Sequence, residues 1–261
     1  MEFANRTVIV TGGGSGIGEA CAELFAERGA SVVIADRNEA EGTRAADRIN
    51  AELPAVTAGG PPRASAIRTD VSRDMEVAAL VEQTLWTYGR IDVLVNNAAV
   101  IWPRFLEEIG ESDFDRVISV NLKGVFLMIK HAIPHLRRTR GAIVNLASLN
   151  GLVGQRQNPV YAAAKGGVIA MSKSLALDYA ADGVRINCVC PAGVMTPLLE
   201  EWTRQQEDPA ATVQALNDMH PLGRPATPEE IAQAVAYLAG ARSGFVTGVA
   251  LPVDGGASLG Y

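Results

Sequence analysis

Short apolar runs and helical periodicities alternate along most of the chain. Runs rich in branched or small apolar residues predict seven strands, at residues 7–10, 31–35, 64–68, 91–95, 142–146, 185–189 and 249–253. After the first run, residues 17–25 carry apolar side chains at helical spacing, and Gly29 follows as a stop. Because such helical stretches separate the strands, the pattern predicts an α/β fold with a parallel sheet.

Further helices are predicted between these strands. They cover residues 39–52, a stretch after Ser72, residues 112–136, the region around residues 161–165, and a stretch from Pro228. Residues 53–63 contain three Pro and two Gly, which predicts a surface loop. Residues 200–220 form a mixed, partly acidic segment that is a candidate lid. No repeat or linker divides the 261 residues, so we expect one domain over residues 1–261.

Composition and charge argue against several classes of partner. The chain is 48% hydrophobic and carries a formal net charge of -6, which argues against a nucleic-acid partner. No basic and apolar leader follows Met1, and apolar runs such as residues 125–129 are too short to span a membrane. We therefore expect a cytoplasmic protein that acts on a small molecule and does not bind a membrane.

Cysteine and histidine do not indicate a metal site. Cys21, Cys188 and Cys190 are an odd number of thiols, and their apolar neighbours favour reduced cysteines in the core. His131 and His135 have the spacing of a helical metal pair, but Pro134 lies between them and no Glu accompanies them. We expect no bound metal.

A glycine-rich stretch follows the first predicted strand and precedes the first helix. Gly12, Gly16 and Gly18 allow the backbone to approach a ligand closely, and Ser15 and Ile17 stand between them. Free N–H groups and the dipole of the following helix favour a pyrophosphate at this place. A plain turn without a ligand is the alternative. The stretch therefore predicts a dinucleotide site if the next strand also carries a suitable group.

The second predicted strand ends in a carboxylate at that position. Asp36 lies 18 positions beyond Gly18, where it can accept hydrogen bonds from ribose hydroxyls and repel a 2′-phosphate. This favours NAD over NADP. Arg37 is adjacent and could pair with the same phosphate, which argues the other way. The alternative is that Asp36 only caps the helix that follows Asn38.

Tyr161 and Lys165 are four positions apart, so they share one face of a predicted helix. To accept a proton near neutral pH, a phenol must have its pKa lowered by roughly three units, or about 4 kcal/mol. A cation about 4 Å away supplies about that energy at an effective dielectric of about 20. The pair is a candidate general base. The alternative is an ordinary solvated helix face.

Together these features resemble the short-chain dehydrogenase/reductase family over nearly the whole chain. The resemblance also rests on Asn96-Asn97-Ala98, on Asn121 and Ser148, and on residues 191–196. Asn121 and Ser148 are 27 positions apart, and Ser148 and Tyr161 are 13 apart, as in that family. Ala99 and Ala192 depart from it, since the family usually has Gly at both places.

The resemblance implies a Rossmann-like, doubly wound parallel sheet of seven strands flanked by helices in a single domain. Residues 1–147 would form the dinucleotide-binding half and residues 148–261 the catalytic and substrate half. Tyr161 would be the general base, Lys165 would lower its pKa and bind the nicotinamide ribose, and Ser148 would hold the reacting oxygen. Asn121 would hold a water that relays the proton. The residues implied in cofactor binding are Gly12, Ser15, Gly16, Ile17, Gly18, Asp36, Arg37, Asp70, Val71, Asn97, Tyr161, Lys165, Val194 and Thr196.

The loop between Ser148 and Tyr161 is strongly polar, which bears on the substrate. Asn150 and Gln155 would line the pocket together with Ser148, Tyr161 and Trp202. A steroid or acyl chain would leave buried amides unpaired, at about 1–3 kcal/mol each, whereas a polyol would satisfy them. The bland alternative is that these amides face solvent. Trp102 on a neighbouring loop is also available for stacking.

Several segments also resemble the branch of the family that includes L-fucose dehydrogenases. They are residues 196–202, 208–212, 221–224 and 255–261. This implies an aldose 1-dehydrogenase that uses NAD. The alternatives are a secondary alcohol or hydroxysteroid dehydrogenase, a 3-oxoacyl reductase and, more distantly, a non-catalytic dinucleotide sensor. A serine hydrolase is disfavoured because Gly13 to Ile17 does not form the Gly-x-Ser-x-Gly elbow.

The predicted helices also bear on assembly. Residues 125–133 and 168–177 carry apolar side chains beyond a single stripe. Burial in the core of one chain is the alternative explanation. Together with the resemblance, this pattern predicts a homotetramer.

Overall fold

The computed structural model describes residues 1–56 and 59–259, and within them seven strands form one parallel sheet. The order across the sheet is β3-β2-β1-β4-β5-β6-β7. The strands are β1 (Thr7–Thr11), β2 (Ser31–Asp36), β3 (Ala64–Arg68), β4 (Val93–Asn96), β5 (Ala142–Leu146), β6 (Arg185–Pro191) and β7 (Ala250–Val253). The chain winds outward in both directions from the β1–β4 pair, so the predicted doubly wound Rossmann-like fold is confirmed.

Helices connect the strands and cover both faces of the sheet. They are α1 (Gly16–Glu27), α2 (Glu39–Glu52), α3 (Asp74–Tyr88), α4 (Glu111–Ile118), α5 (Gly124–Thr139), α6 (Pro159–Tyr179), α7 (Pro197–Arg204), α8 (Pro209–Asp218) and α9 (Pro228–Ala239). Their starts are well signalled, as at α9, where Thr227 and Glu230 form a reciprocal capping box. The candidate lid of residues 200–220 contains the end of α7 and all of α8.

Two hydrophobic layers enclose the sheet, because the strands bury both of their faces. Val8 and Val10 of β1 face one layer, where Phe25 of α1 and Ile231 of α9 pack. Ile9 faces the other layer, which is built by α3, α5 and α6. Burial on both faces explains why the strands are continuous apolar runs rather than alternating ones.

The predicted helix of residues 112–136 lies within one continuous helical stretch, residues 111–139, whose hydrogen-bonding pattern changes midway. A π-helical turn, Ser119–Lys123, separates α4 from α5. The cause is the fully buried side chain of Asn121, which donates to the carbonyl of Val100 at 2.7 Å and accepts its N–H at 2.8 Å. The long helix is therefore present as predicted, whereas the π-helical turn within it was not predicted because it accompanies this contact with the loop after β4.

By length and composition alone, the continuous helical stretch of residues 111–139 could cross a membrane. Half of its apolar window is buried inside the protein, where Met128, Ala132 and Leu136 pack in the core. A buried core helix passes the same test, so this is weak evidence for a membrane span.

Two sequence features fall partly outside the described residues. Residues 57 and 58 belong to the predicted loop of residues 53–63, and residues 260 and 261 to the C-terminal segment compared with L-fucose dehydrogenases. The end of the loop is fixed by Arg63, whose buried guanidinium donates to the carbonyls of Gly29 and Ala30. Cys21, Cys188 and Cys190 are buried with free thiols.

Candidate active site

The predicted site residues gather at the edge where the parallel strands end. The glycine turn follows β1, Asn97 follows β4, Ser148 follows β5 and the residues up to Thr196 follow β6. In open α/β sheets this edge, at the point where the strand order reverses, is where ligands bind.

The glycine turn has the backbone that its sequence requires. Gly12 and Gly16 have φ values of 60° and 53°, in the left-handed region. At Gly18 any side chain would collide with the carbonyl oxygen of Gly12. The glycines thus let the turn pack closely against Ala98, Thr196 and the start of α1, and the dipole at the N-terminus of α1 favours an anion. The turn therefore fits the pyrophosphate of a dinucleotide.

Thr11 and Asn97 hold this turn in place. The Thr11 hydroxyl oxygen accepts the N–H groups of Asn97 and Ala98 at 3.0 and 3.1 Å. The Asn97 amide donates to the carbonyls of Thr11 and Gly12 at 3.1 and 3.0 Å. Asn97 was expected beside the adenosine, and in the structure its amide nitrogen donates to the backbone of the glycine turn.

The Asp36 carboxylate is fixed by two backbone donors. Oδ2 accepts the N–H of Gly14 at 3.0 Å, and Oδ1 accepts the N–H of Asn38 at 2.9 Å. The cap of α2 is the side chain of Asn38, which accepts the N–H of Glu41. Asp36 is thus not the helix cap, so that alternative interpretation is excluded. Its carboxylate lies directly against the glycine turn.

Arg44 holds the same turn from the other side. Its guanidinium donates to the carbonyl of Gly14 at 2.7 Å and forms salt bridges with Glu19 and Glu41. The hydrogen bonds that Arg44 donates to Glu19 are the main reason that the pKa of Arg44 is raised. Gly14 is therefore bound on its N–H by Asp36 and on its carbonyl by Arg44.

Arg37 is exposed and its charge acts on Asp70. Burial raises the pKa of Asp70, but hydrogen bonds from Ser72 and the charges of Arg37 and Arg73 outweigh this and leave the pKa low. Val71 is buried and packs against Gly124, at the start of α5. The carboxylate of Asp70 thus partly offsets the positive charge of Arg37, the residue that argued for binding of a 2′-phosphate.

Ser148, Tyr161 and Lys165 lie together between the end of β5 and the first turns of α6. Lys165 is 2% exposed, and its Nζ donates to the carbonyl of Leu146 at 2.5 Å. The same Nζ lies 5.6 Å from the centre of the Tyr161 ring. Burial lowers the pKa of Lys165 to about 8. Lysine and phenol therefore face each other in a largely dry environment.

Burial raises the pKa of Tyr161, and a hydrogen bond with Ser148 opposes the rise without cancelling it. The lowering by Lys165 expected from the sequence therefore does not outweigh burial in the protein alone. A further positive charge beside the phenol is needed for it to act as a base near neutral pH.

The loop that follows β6 reaches back to the glycine turn. A Cβ atom added at Gly16 would lie 3.2 Å from the side chain of Thr196. Val194 is buried and forms a bridge to Ala226. Thr196 is the N-cap of α7, and its hydroxyl oxygen accepts the N–H of Leu199. The predicted nicotinamide end and pyrophosphate end of the site are therefore adjacent.

The polar loop after Ser148 satisfies much of its own hydrogen bonding. Asn150 donates to Gln155 Oε1, which also accepts from the buried Asn158 at 3.1 Å. The sequence argument assumed that an apolar substrate would leave these amides unpaired, but several of them already have partners within the loop. Gln155 is exposed, so its amide nitrogen can bond to water, and among the described residues of this loop the buried oxygen without a partner is Oδ1 of Asn158.

Two tryptophans follow strands at this edge of the sheet, Trp102 on a loop and Trp202 on helix α7 rather than on a loop. Trp102 is 38% exposed and lies near two cations, with the guanidinium carbons of Arg104 and Arg116 at 5.4 and 5.9 Å from its ring centre. The Arg104 N–H donates to the carbonyl of Gln157, which joins this loop to the polar loop. Trp202 lies on α7 and is 47% exposed.

Comparison with known proteins agrees with this arrangement. The profile of the family described as Enoyl-(Acyl carrier protein) reductase matches residues 12–258. L-fucose dehydrogenase of Bos taurus is 43% identical over 100% of this chain and 92% of its own length. Meso-2,3-butanediol dehydrogenase of Serratia marcescens is 40% identical over 99% of this chain and 96% of its own.

The fold agrees as well. The solved structure of Thermoplasma acidophilum aldohexose dehydrogenase has a TM-score of 0.85, 33% identity, and coverage of 99% of this chain and 96% of its own. The chain belongs to the short-chain dehydrogenase/reductase family. It is therefore an oxidoreductase that acts on CH–OH groups with a nicotinamide cofactor.

Other residues of this family member support the site but could not be assigned from the sequence motifs. Asn145 joins the strand ends to α6, accepting from Asn96 and donating to Ser172 at 2.8 Å each. Its signal was an amide within an apolar strand run. Thr11 opens the glycine motif, whereas Arg44 and His220 carry no signal in their spacing. Within residues 1–56 and 59–259, no cluster of His, Cys, Asp or Glu is arranged for a metal ion.

Proposed function

We propose that the protein is an NAD-dependent aldose 1-dehydrogenase, which oxidises the anomeric hydroxyl of a pyranose such as L-fucose to the lactone. The observation that carries the proposal is the 43% identity with an L-fucose dehydrogenase over the full chain. The matched length is the whole chain, so it includes the polar loop and α7, where a substrate would be selected.

In this proposal Tyr161 takes the proton of the anomeric hydroxyl while Ser148 donates a hydrogen bond to the same oxygen. Lys165 holds the nicotinamide ribose and supports the phenolate with its charge. When bound, the nicotinamide accepts the hydride from the carbon that carries the hydroxyl. Asn121 keeps its side chain on Val100, so its contribution to proton exit would come from its backbone carbonyl.

The preference for NAD rests on Asp36. The N–H groups of Gly14 and Asn38 hold the carboxylate rigidly against the glycine turn. A dianionic 2′-phosphate at that place would meet a fixed negative charge at short range. Arg37 is exposed and its charge acts on Asp70, so it should attract a 2′-phosphate less strongly than its position beside Asp36 implies.

The polar loop supports a hydroxylated substrate, although less strongly than the sequence indicated. The Gln155 amide donor and the Asn150 carbonyl oxygen are a complementary pair for adjacent sugar hydroxyls. Trp202, half exposed on α7, offers an aromatic face for the sugar ring. A sugar could accept and donate these hydrogen bonds directly, whereas with an apolar substrate the exposed Gln155 amide would bond to water.

A secondary alcohol is the second candidate substrate, for a specific reason. The butanediol dehydrogenase of Serratia marcescens is almost as similar to this chain as the L-fucose enzyme. In addition, Leu152 and Val153, in the same loop as Gln155, are exposed and could cover an apolar substrate. A hydroxysteroid dehydrogenase, a 3-oxoacyl reductase and a non-catalytic sensor remain alternatives without such support.

Side-by-side assays test the proposal. Aldoses, meso-2,3-butanediol, hydroxysteroids and a β-ketoacyl thioester would be compared with NAD(H) and NADP(H), following the absorbance of the reduced nicotinamide. We expect the highest kcat/KM with an aldose and NAD. If no aldose turned over while butanediol, a steroid or a ketoacyl substrate did, the aldose assignment would be wrong. Cofactor binding without turnover of any substrate would favour a sensor.

Assembly and location complete the proposal. We expect a cytoplasmic homotetramer, supported by the family and by exposed aromatic side chains such as Phe114 and Phe126 on consecutive helices. The division into a dinucleotide half, residues 1–147, and a catalytic half, residues 148–261, also stays a prediction.

A further inference from the structure

His220 is a buried residue with two directional hydrogen bonds next to the proposed cofactor site. It lies just after α8 and is 3% exposed. Its Nδ1 lies 2.7 Å from the carbonyl oxygen of Leu216, and its Nε2 lies 3.1 Å from the backbone nitrogen of Gly193. The first contact is local and reaches back four positions into α8, whereas the second joins segments that are 27 positions apart.

These two partners fix the state of the imidazole. A carbonyl oxygen only accepts, so Nδ1 must carry the hydrogen. A backbone N–H only donates, so Nε2 must be the bare acceptor. His220 is therefore neutral with one tautomer, and its bare nitrogen is aimed at the backbone of Gly193. The side chain is the only described partner of that N–H group.

Gly193 begins the loop that ends at Thr196 against the glycine turn. On one side, backbone hydrogen bonds with Ala226 hold this loop, from Ala226 N–H to Gly193 O at 3.0 Å and from Met195 N–H to Ala226 O at 2.8 Å. On the other side stands His220. A Cβ atom at Gly193 would lie 2.8 Å from Cε1 of His220, so the close approach requires glycine.

We propose that His220 is a positioning residue for the nicotinamide end of the cofactor, acting through the backbone of residues 193–196. Because Nδ1 of His220 also donates to the carbonyl of Leu216 in α8, His220 connects the candidate lid to the same loop. The inference rests on the proposed cofactor site. It does not depend on which alcohol is the substrate.

A purely structural role makes a different prediction. His220 also lies beside Gly255, 3.5 Å from where a Cβ atom there would stand, so it contributes to general packing. Loss of packing would weaken all ligands and lower the melting temperature together. Loss of positioning would weaken only ligands that carry the nicotinamide half.

The test compares full-length wild-type protein with His220→Leu, which fills space without an acceptor, and His220→Gln, which can offer Oε1 to Gly193. Titration calorimetry with NAD and with ADP-ribose measures the two affinities, and thermal unfolding measures packing. His135→Leu, on the far helix α5, serves as a control. For His220→Leu we expect NAD affinity to fall about tenfold or more, the effect of one unpaired buried N–H, with ADP-ribose affinity nearly unchanged.

His220→Gln should recover most of the NAD affinity, and His135→Leu should leave both affinities unchanged. Equal losses for NAD and ADP-ribose, or no loss for either, would overturn the inference while leaving the proposed function intact. Wild-type protein that bound neither NAD nor NADP would overturn both.

A measurement on the wild-type protein covers the case in which His220→Leu does not fold. Long-range ¹H–¹⁵N spectra distinguish protonated from bare ring nitrogens of histidine. We expect a bare Nε2 and a protonated Nδ1 for His220 at neutral pH. The opposite tautomer would remove the acceptor from Gly193 and contradict the inference.

Discussion

Tyr161 and Lys165 are shifted in opposite directions by the same burial. Burial raises the pKa of Tyr161 and lowers the pKa of Lys165 to about 8, so it disfavours the charged form of each group, although at pH 7 Lys165 remains mostly protonated. The protein alone thus keeps the phenol protonated at neutral pH. An oxidised nicotinamide carries a positive charge, and placed beside the phenol it would favour the phenolate only when a proton has to leave the alcohol.

This gives a pH dependence with a defined sign. Alcohol oxidation needs the phenolate, so its kcat should increase as pH rises through the pKa of Tyr161 in the cofactor complex. Reduction needs the protonated phenol, so its kcat should decrease over the same range. Initial rates in both directions over pH 6 to 10, measured with saturating cofactor, check this.

Tyr161→Phe should lower turnover by at least about a thousandfold and remove both trends, whereas Tyr179→Phe, on the same helix, should change neither. An oxidation rate that fell with rising pH would argue against Tyr161 as the base.

We expect Asp36 to determine the preference for NAD over NADP. Asp36→Ala should reduce the ratio of kcat/KM for NAD over NADP by about tenfold or more, because the fixed charge opposite a 2′-phosphate is lost. Steady-state kinetics with both cofactors measure the ratio. The neighbouring Arg37→Ala is the matched control and should lower the efficiency with NADP only slightly. Wild-type protein that used NADP as well as NAD would contradict the assignment.

Residues close together in the sequence made most of the site predictable. Tyr161 and Lys165 share a helix face by spacing alone, and the glycines of residues 12–18 define their turn without any other element. The contact between His220 and Gly193 was not predictable, because it spans 27 positions without a period or motif. The same holds for Arg44, which reaches Gly14 across 30 positions.

At the level of elements, the strands were predictable because the core covers both faces of the sheet. Continuous apolar runs such as residues 142–146 then leave little doubt about where a strand lies. The π-helical turn Ser119–Lys123 was not predictable, since local helix propensity is the same on both sides of it. Its cause is a tertiary contact from Asn121 to the loop after β4.

That contact can be tested at the element to which it belongs. Asn121→Ala should lower the free energy of unfolding by about 1–3 kcal/mol, because it leaves the N–H and carbonyl of Val100 without partners. It should also lower kcat, since the loop after β4 borders the site. Urea unfolding and steady-state kinetics measure the two effects. Ser119→Ala in the same turn is the control, and an equal loss in both variants would show that the turn does not depend on Asn121.

At the scale of the whole molecule, most of the apolar surplus used to predict a tetramer lies in the core. Val125, Met128 and Ile129 are buried on α5, and Val168 and Ile169 on α6. What remains for an interface is smaller. Phe126 is 49% exposed, and Phe114 on α4 is 46% exposed. Of the large apolar residues in the two predicted ranges, Phe126 and Leu177 are exposed, and Phe114 lies outside those ranges.

Assembly is therefore expected to depend on these exposed rings. Wild-type protein should scatter light as a multiple of the 27.5 kDa chain. Phe126→Glu should lower the mass, because it places a charge in an apolar contact. Gln83→Glu adds the same charge on an exposed part of α3 and should leave the mass unchanged. A wild-type mass of one chain in dilute buffer would refute the tetramer.

The most direct test of the whole account follows the hydride itself. L-fucose carrying deuterium at the anomeric carbon would be incubated with NAD and the wild-type protein, and mass spectrometry would analyse the nicotinamide and the sugar. We predict deuterium in the reduced nicotinamide and the sugar recovered as its lactone or the acid formed from it, with none of either from Tyr161→Phe. No transfer from the labelled sugar, together with transfer from meso-2,3-butanediol deuterated at its carbinol carbons, would contradict the aldose 1-dehydrogenase.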